Sequence, residues 1–181
     1  MQNISAARHV CREAGIPEDT FYRAMENFHG AARRLQCLHQ GAEFSIYLDF
    51  AHAPSKVRAT TQALRQLHPG RRLVACLELH TYSSLSTGFL PQYRSSLDAA
   101  SLPLVFFDPR TLRHKDLPRL TEDQVREAFG NENLRVFTDR KALEEFLQTI
   151  DRQETDLLLM SSGTFSGMDV EKLAKELAEG F

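Results

Sequence analysis

The sequence predicts an α/β protein in which a doubly wound, mostly parallel sheet with flanking helices follows a short helical hairpin. From residue 44 onward, apolar runs of strand length alternate with helical patterns, as in repeated βαβ units. The runs 73–77 and 157–160 are apolar throughout, as expected for strands buried on both faces of a parallel sheet. Residues 1–30 instead carry two helical patterns, and Gly15-Ile16-Pro17 can close one helix and open the next.

The order of the elements follows from the same patterns. Helices at 5–14 and 19–28 form the helical hairpin, and β-prone runs at 35–38 and 44–48 are joined by a plausible turn at 39–42. The alternating region then contains predicted strands at 46–49, 73–79, 104–107, 135–137 and 156–160, and predicted helices at 54–67, 89–99, 121–129, 141–150 and 170–178.

Local signals agree with these assignments. Thr121 and Gln124 have the spacing of a capping box, and Pro54 can occupy the first turn of its helix. Gly70 follows a proline between a helix and the next strand. Residues 108–119 are rich in proline, arginine and lysine, so we predict a long connection there.

Composition limits the function classes that need to be considered. The chain has 181 residues, enough for one domain of ordinary size or one domain with a short appendage. A net charge of -2 argues against a sequence-independent nucleic-acid binder. The longest apolar runs are too short to cross a bilayer and no signal peptide is evident, so we predict a cytoplasmic protein without nucleic-acid or membrane partners. The three cysteines form no CxxC pair, and neither a zinc site nor a disulfide framework is predicted.

Polar residues that follow three of the predicted strands are the candidate site, because open parallel sheets bind ligands beyond the carboxyl ends of their strands. In the first loop, 49–54, Asp49 could accept hydrogen bonds from ribose hydroxyls and His52 could stack on a base or contact phosphate. A purely structural interpretation fits the pattern equally well, namely that Asp49 caps a turn and His52 is an exposed loop residue.

The second and third loops carry different chemistry. Residues 78–84 combine an acid, an imidazole and hydroxyls, which suits a polar ligand but also describes a solvated turn. Residues 161–167 contain two glycines before a helix, where free amides favour an anion. The P-loop pattern GxxxxGK[ST] does not occur in the chain. No nucleophile with an evident base emerges, and metal binding by Glu78 and His80 has too little support to predict a metal site.

Three segments together resemble the Mur ligase family. The Asp49-Phe50-Ala51-His52-Ala53-Pro54 loop is similar to the family signature D-[YF]-[AG]-H-x-P. Upstream, 3–7 resembles the end of an H-N-x-x-N-x-x-A-A segment, and 28–35 resembles an F-x-G-x-x-R-R-x-E stretch. The resemblance covers nearly the whole chain. It implies that residues 1–35 are the tail end of the central, ATP-binding domain and that 36–181 are the Rossmann-like carboxyl-terminal domain.

The resemblance also implies roles for individual residues. Asn3 would contact adenine, Arg34 would lie near the phosphates or ribose, Asp49 would face the ribose and His52 would lie beside the nucleotide. The loop 160–167 is similar to the M-S-N-G-x-F-x-G stretch of family members that attach a murein tripeptide. The residues expected to hold the incoming amine are His80, Tyr82, Ser84, Ser161, Ser162, Gly163, Thr164 and Phe165.

The family reaction implies the cofactors and partners. ATP converts a carboxylate into an acyl phosphate, and the incoming amine then expels phosphate, with Mg²⁺ and basic groups neutralising charge. Partners of the full-length enzyme would be UDP-N-acetylmuramate and an amino acid or peptide. ATP and Mg²⁺ would be bound mainly by a central domain preceding Asn3, so we expect this chain to be inert alone, to close over the nucleotide and to present the amine.

Several alternatives remain open at this point. Many alanine-adding members carry a second histidine where this chain has Ala53 and an arginine where it has Ser84, which weakens assignment to UDP-N-acetylmuramate–L-alanine ligation without establishing the tripeptide ligase. A further interpretation is that the chain belongs to a folate-polyglutamylating ligase of the same superfamily. A non-catalytic nucleotide- or metabolite-binding α/β module is the main alternative from another class, and a P-loop upstream of Asn3 would strongly favour the ligase over it.

Overall fold

The computed structural model describes residues 2–26 and 31–179, with side chains from residue 4 onward, as two compact units, 1–32 and 33–181. The first unit contains helices α1 (Gln2–Glu13) and α2 (Glu18–Glu26). At the end of α1 the amide of Ile16 donates to the carbonyl of Cys11, a bond that closes the helix before Pro17. The predicted helical hairpin is therefore confirmed, although the predicted end of its second helix, at 27 and 28, lies outside the described residues.

The second unit begins with an antiparallel hairpin and continues as alternating strands and helices. Strands β1 and β2 pair antiparallel, with an irregularity in the register between Cys37 and His39. The elements of this unit are β1 (Gln36–Gln40), β2 (Phe44–Asp49), α3 (Pro54–Leu67), β3 (Arg72–Glu78), a 3-10 helix (Leu90–Tyr93), β4 (Leu102–Phe106), α4 (Pro109–His114), α5 (Glu122–Phe129), β5 (Arg135–Phe137), α6 (Arg140–Gln148), β6 (Thr155–Met160) and α7 (Val170–Glu179).

The strand order of the six-stranded sheet is β1-β2-β6-β3-β4-β5. All neighbours except β1 and β2 pair in parallel. The chain passes from β2 to β3 through α3 and later returns through α6 to place β6 between them. That reversal confirms the doubly wound, mostly parallel architecture, in which ligands bind beyond the carboxyl ends of the strands where the winding reverses.

Apolar side chains cover both faces of the sheet, which explains the uninterrupted apolar runs in the sequence. Along β6, Leu158 and Met160 belong to one core layer, whereas Leu157 and Leu159 belong to the other. Helices α3 and α5 cover the first layer, and α6 and α7 cover the second. Burying each of these leucines contributes about 1.5–3 kcal/mol, so the sheet is held from both sides.

Both ends of α5 are capped, and the cap at its start is the predicted one. The hydroxyl of Thr121 accepts from the amide of Gln124 at 3.2 Å, and the side chain of Gln124 accepts from the amide of Thr121 at 2.9 Å. Gly130 ends the helix with φ of 63°, a conformation that costs glycine little. The capping box is confirmed.

The predicted helix at 89–99 is wrong, since only residues 90–93 are helical there and the rest are turns. Ser95 adopts a φ of 60° and its amide donates to the carbonyl of Phe129. The ring of Tyr93 stacks on that of Phe129 with centroids 5.3 Å apart. Packing against α5 thus outweighs the weak helical propensity of this serine-containing segment.

The predicted connection at 108–119 is also corrected, because it contains the six-residue helix α4. Asp108 caps α4 by accepting from the amide of Arg110 at 2.8 Å, and Pro109 occupies the first turn. Across the described parts of the chain, no helix has the length and apolar character needed to cross a membrane.

Candidate functional site

The three polar loops identified in the sequence meet at one end of the sheet, beyond the carboxyl ends of its parallel strands. They follow β2, β6 and β3, and these three strands are neighbours in that order. Since the strands are parallel, their carboxyl ends point the same way, and the loops beginning at Phe50, Ser161 and Leu79 lie side by side. The structure therefore brings together residues that are far apart in sequence.

Asp49 ends β2 and uses its carboxylate to hold backbone. Its Oδ2 accepts from the amide of Leu35 at 2.6 Å, and its Oδ1 accepts from the amide of Ala51 at 2.7 Å. The hydroxyl of Thr60 on α3 approaches Oδ1 at 3.4 Å. Asp49 thus fixes the segment entering β1 and the loop leaving β2, while its contact with ribose stays a prediction.

The aromatic ring of Phe50 organises the predicted nucleotide-facing side chains. The guanidinium groups of Arg33 and Arg34 lie 5.6 and 5.5 Å from its centroid, within the range of cation–π attraction. The ring of His52 meets it edge-on at 5.2 Å. Arg34 is exposed and His52 half-buried, so both can contact a ligand. Asn3 lies in α1, but its side chain is outside the described residues, and the ATP-binding roles of all three stay predictions.

Arg33, which sequence reasoning passed over in favour of its neighbour, ties the first loop to the third. Its Nη2 donates to the carbonyls of Ser161 at 3.1 Å and Gly163 at 2.6 Å. Its own carbonyl accepts from the amide of Phe50 at 2.8 Å, and its φ is 56°. The paired arginines of the sequence signal basic character but cannot tell which one turns inward.

Glu78 is the second residue that sequence reasoning missed as a site organiser. It is 2% exposed at the end of β3, and its Oε2 accepts from the hydroxyl of Ser161 and, at 2.8 Å, from the amide of Phe165. The hydroxyl of Ser161 also accepts from the amide of Gly163 at 2.7 Å. A carboxylate at the end of an otherwise apolar strand is the signal that could have found it, because a buried charge requires donors.

Gly163 lies where no side chain fits. A Cβ atom at this position would lie 2.8 Å from Cγ of His80 and 2.9 Å from Oε2 of Glu78. The second and third loops are therefore in direct contact at Gly163. Within the second loop, Nδ1 of His80 lies 3.7 Å from Oε1 of Glu78. The contact at Gly163 explains why the predicted amine-binding residues His80 and Gly163 are adjacent in space.

The remainder of the third loop is bent by an unusual backbone. Phe165, Ser166 and Gly167 have φ values of 49°, 56° and 80° in succession. The ring of Phe165 is buried in the core, whereas Thr164 is exposed and its hydroxyl accepts from the amide of Gly167 at 3.0 Å. The hydroxyl of Ser162 is buried without a hydrogen-bond partner among the described residues. Left-handed non-glycine residues are costly, and such strain concentrates at functional loops.

The second loop divides its predicted residues into two groups. Ser84 is buried, and its Oγ accepts from the amide of Thr81 at 3.0 Å and from the hydroxyl of Thr81 at 2.9 Å. Tyr82 is 60% exposed, with Nζ of Lys115 4.1 Å from its ring centroid. His80 and Tyr82 can therefore reach a ligand directly, whereas the hydroxyl of Ser84 shapes the turn.

Asp108 follows β4 and lies at the same end of the sheet as the three loops. Its Oδ2 accepts from the hydroxyl of Ser166 at 2.7 Å and from Nη2 of Arg110 at 2.8 Å. Burial by itself raises the pKa of Asp108, but the hydrogen bonds from Arg110 and Ser166 outweigh it and lower the pKa to about 2. The third loop is thus anchored to β4 by an ionised carboxylate.

The polar side chains at this end of the sheet suit a nucleotide better than a metal ion. Asp49, Glu78 and Asp108 already accept hydrogen bonds from N–H or hydroxyl donors, which leaves little capacity to coordinate Mg²⁺. Within residues 4–26 and 31–179, no three histidine, cysteine or acidic side chains cluster as metal ligands. Arg34, by contrast, is an exposed donor for phosphate or ribose. Nδ1 of His52 donates to the carbonyl of Phe50 at 2.9 Å, which leaves Nε2 of the neutral ring to accept from a hydroxyl.

The profile of the family described as "Mur ligase, glutamate ligase domain" matches residues 33–164. The UDP-N-acetylmuramate–L-alanine ligase of Chlorobium phaeobacteroides (strain BS1) is 31% identical over 185 residues, covering 99% of this chain and 38% of that protein. The enzyme of the same name from Nitrosospira multiformis is 27% identical over 93% of this chain and 36% of that protein. The chain thus spans a little over a third of the length of these curated relatives.

Solved structures share the fold. The UDP-N-acetylmuramate-alanine ligase MurC of Thermotoga maritima superposes with a TM-score of 0.70 at 16% identity, over 98% of this chain and 36% of that one. A murein peptide ligase from Psychrobacter arcticus gives 0.64 at 18% identity, over 98% and 35%. The MurF ligase of Thermotoga maritima in complex with ADP gives 0.67 at 19% identity, over 99% and 38%.

Proposed function

The chain belongs to the Mur ligase family, and from that premise we propose that it is the carboxyl-terminal part of an ATP-dependent ligase joining an amino acid or a murein tripeptide to UDP-N-acetylmuramate. The reaction belongs to peptidoglycan synthesis or recycling in the cytoplasm and passes through an acyl phosphate. Residues 1–35 are the tail end of the central domain, and 36–181 form the carboxyl-terminal domain.

The observation that carries the proposal is the junction of three loops around Arg33, Glu78 and Gly163. Glu78 holds Ser161 and Phe165, while Arg33 holds the carbonyls of the same loop. A loop fixed at both ends presents its groups in one arrangement, which positions an amine for attack more effectively than a mobile turn. His80 borders this loop at Gly163, and Tyr82 follows His80 in the second loop with an exposed ring, as required of residues that contact the amine.

The nucleotide-facing role falls to the first loop. Arg34 and His52 lie around Phe50 with accessible polar atoms, and they can contact phosphate or ribose when the domain closes. Asp49 keeps Arg34 and the loop in register through the amides of Leu35 and Ala51. Asn3 completes the proposed ATP-binding set. Magnesium and the phosphate-binding loop are assigned to the central domain, so this chain is proposed to be inert alone.

The identity of the amine has two candidates. The curated relatives reported above are named as alanine-adding enzymes. Ala53 and Ser84 depart from the residues expected for that reaction, and the loop 160–167 resembles that of the tripeptide ligases. We favour the tripeptide on the strength of these loops, with L-alanine as the alternative.

The experiment is an ATP-dependent phosphate-release assay on a full-length ligase that contains this chain, with UDP-N-acetylmuramate and either L-alanine or L-alanyl-γ-D-glutamyl-meso-diaminopimelate. Release with the tripeptide alone is the expected result. Release with L-alanine alone moves the protein to the alanine-adding enzymes, and release with neither amine favours the non-catalytic binding module. The isolated chain should release no phosphate with either amine, and any turnover would contradict its assignment as a partial enzyme.

A further inference from the structure

A cationic segment beside the amine-presenting loops has no role in the function described so far. Residues 108–120 carry four arginine and lysine side chains against two aspartates, although the whole chain has a net charge of -2. Arg110 is neutralised by Asp108. Arg113 and Arg119 are exposed and form no ion pair with another described residue. The segment therefore presents uncompensated positive charge at the same end of the sheet as the three polar loops.

These two arginines border a cavity of about 580 Å³ between α4 and the start of α5. Its floor includes the buried side chains of Phe107 and Leu112, and Thr138 contributes from the end of β5. Glu122 also lines it, but its carboxylate accepts from Nη2 of Arg126 at 2.7 Å and is neutralised. A cavity of this size with an apolar floor and unpaired guanidinium groups suits an organic anion.

The cavity and the amine-presenting loops share a wall. Asp108, which caps α4, binds Ser166 of the third loop, whereas Leu112 on the same helix faces the cavity. Lys115, which follows α4, contacts the ring of Tyr82 in the second loop. A ligand held by the second and third loops can therefore extend over α4 into the cavity.

The separation between the third loop and the cavity sets the length that such a ligand must have. The third loop follows β6, and the cavity lies beyond the ends of β4 and β5, two to three strand spacings away or roughly 10–14 Å. An extended peptide covers about 3.3–3.6 Å per residue, so three residues span roughly 10 Å, whereas a single amino acid does not reach.

We propose that the cavity bordered by Arg113 and Arg119 is a subsite for the carboxylate-bearing far end of an extended, peptide-like amine. This inference rests on the proposed function, because it assumes that the amine end of that substrate lies at the 161–167 loop. It makes the two arginines specificity-determining residues that favour a peptide over a free amino acid.

The test is calorimetric and NMR-detected binding to the 181-residue chain, with L-alanyl-γ-D-glutamyl-meso-diaminopimelate, L-alanine and ATP as separate probes. In the double variant Arg113→Gln, Arg119→Gln, the Kd for the tripeptide should rise about tenfold or more, the loss expected for one or two charge-assisted hydrogen bonds. The matched control is Arg72→Gln, since Arg72 is exposed at the opposite end of β3. The control should leave the Kd unchanged.

A second binding measurement uses a tripeptide whose diaminopimelate carboxylates are amidated. It should bind the native chain and the double variant equally, because it lacks the groups that the arginines recognise. Tripeptide binding that is insensitive to the double substitution, absence of tripeptide binding, or an arginine effect confined to ATP would each overturn the subsite. These outcomes are independent of ligation, so arginine-dependent binding without phosphate release in the full-length enzyme would contradict only the proposed reaction.

Discussion

Nη2 of Arg33 donates a hydrogen bond of 2.6 Å to the carbonyl oxygen of Gly163, joining residues that are 130 positions apart in the chain. Arg33 begins the second compact unit, and Gly163 lies in the loop proposed to present the amine. The start of this unit is therefore in direct contact with the loop after its last strand.

Replacing Arg33 should loosen that loop. In Arg33→Met, the carbonyls of Ser161 and Gly163 lose their shared donor, Nη2 of Arg33, and we expect a local cost of about 1–2 kcal/mol. Amide hydrogen exchange at Gly163 and Phe165 should accelerate about tenfold. Arg34→Met is the matched control, because Arg34 is exposed, its guanidinium lies over the ring of Phe50, and its side chain forms no hydrogen bond with another described residue. Equal exchange in both variants would contradict the positioning role of Arg33.

Adding one methyl group at Gly163 should be destabilising. In Gly163→Ala the new Cβ would lie 2.8 Å from His80 and 2.9 Å from Glu78, so the two loops must separate, at a cost of about 1–3 kcal/mol in the free energy of unfolding. Urea denaturation measures this cost. Gly70→Ala is the matched control, since no atom lies within 4 Å of its added Cβ, and it should be neutral or stabilising by up to about 1 kcal/mol. A similar response from the two variants would rule out the steric explanation.

Asp108 should contribute to stability above pH 4 and lose its contribution in acid. Because its pKa is lowered from 3.8 to about 2 in the folded protein, the contribution is fully present above about 4 and disappears as the pH falls toward 2. Arg110 is largely exposed and screened by solvent, so we expect about 1 kcal/mol. Unfolding free energies measured between pH 5 and 2 should fall less steeply in Asp108→Asn than in the native chain. Parallel curves would exclude the contribution.

Asp156 anchors the opposite end of the sheet. It is 2% exposed, and its carboxylate lies 2.7 Å from Nδ1 of His68 and 2.9 Å from Nη1 of Arg71. Asp156→Ala removes the carboxylate that balances Arg71, which keeps only neutral acceptors such as the hydroxyl of Ser45, so the free energy of unfolding should fall by about 2–4 kcal/mol in urea denaturation. Asp123→Ala, which removes an exposed ion pair with Arg126, should cost less than about 1 kcal/mol. Comparable losses would show that burial does not distinguish the two aspartates.

The fold was predictable because its signals are local or periodic. The apolar run at 157–160, the proline at the start of α3 and the Thr121 capping box each specify their element without reference to the rest of the chain. The failed helix at 89–99 was not predictable in this way, since stacking of Tyr93 on Phe129 decides its backbone. The short helix α4 likewise depends on Asp108, whose capping role is hidden in a segment rich in charge and proline.

The candidate site was predictable only in part. Chain order and a parallel sheet were enough to select the loops containing Asp49, His80 and Gly163. The roles of Arg33 and Glu78 required coordinates, because each acts on backbone atoms of a loop distant in sequence. A sequence motif records which residue types occur, whereas the direction in which a guanidinium group turns depends on packing.

The position of β6 has a consequence for how the protein is made. This strand is the last of the six along the chain, yet it pairs with both β2 and β3, which do not pair with each other. During synthesis the ribosome therefore releases two buried strands well before the one that joins them. Their edges stay unpaired until residues 155–160 emerge, so the centre of this sheet cannot assemble before β6 is made, and a chaperone that shields strand edges would act in that interval.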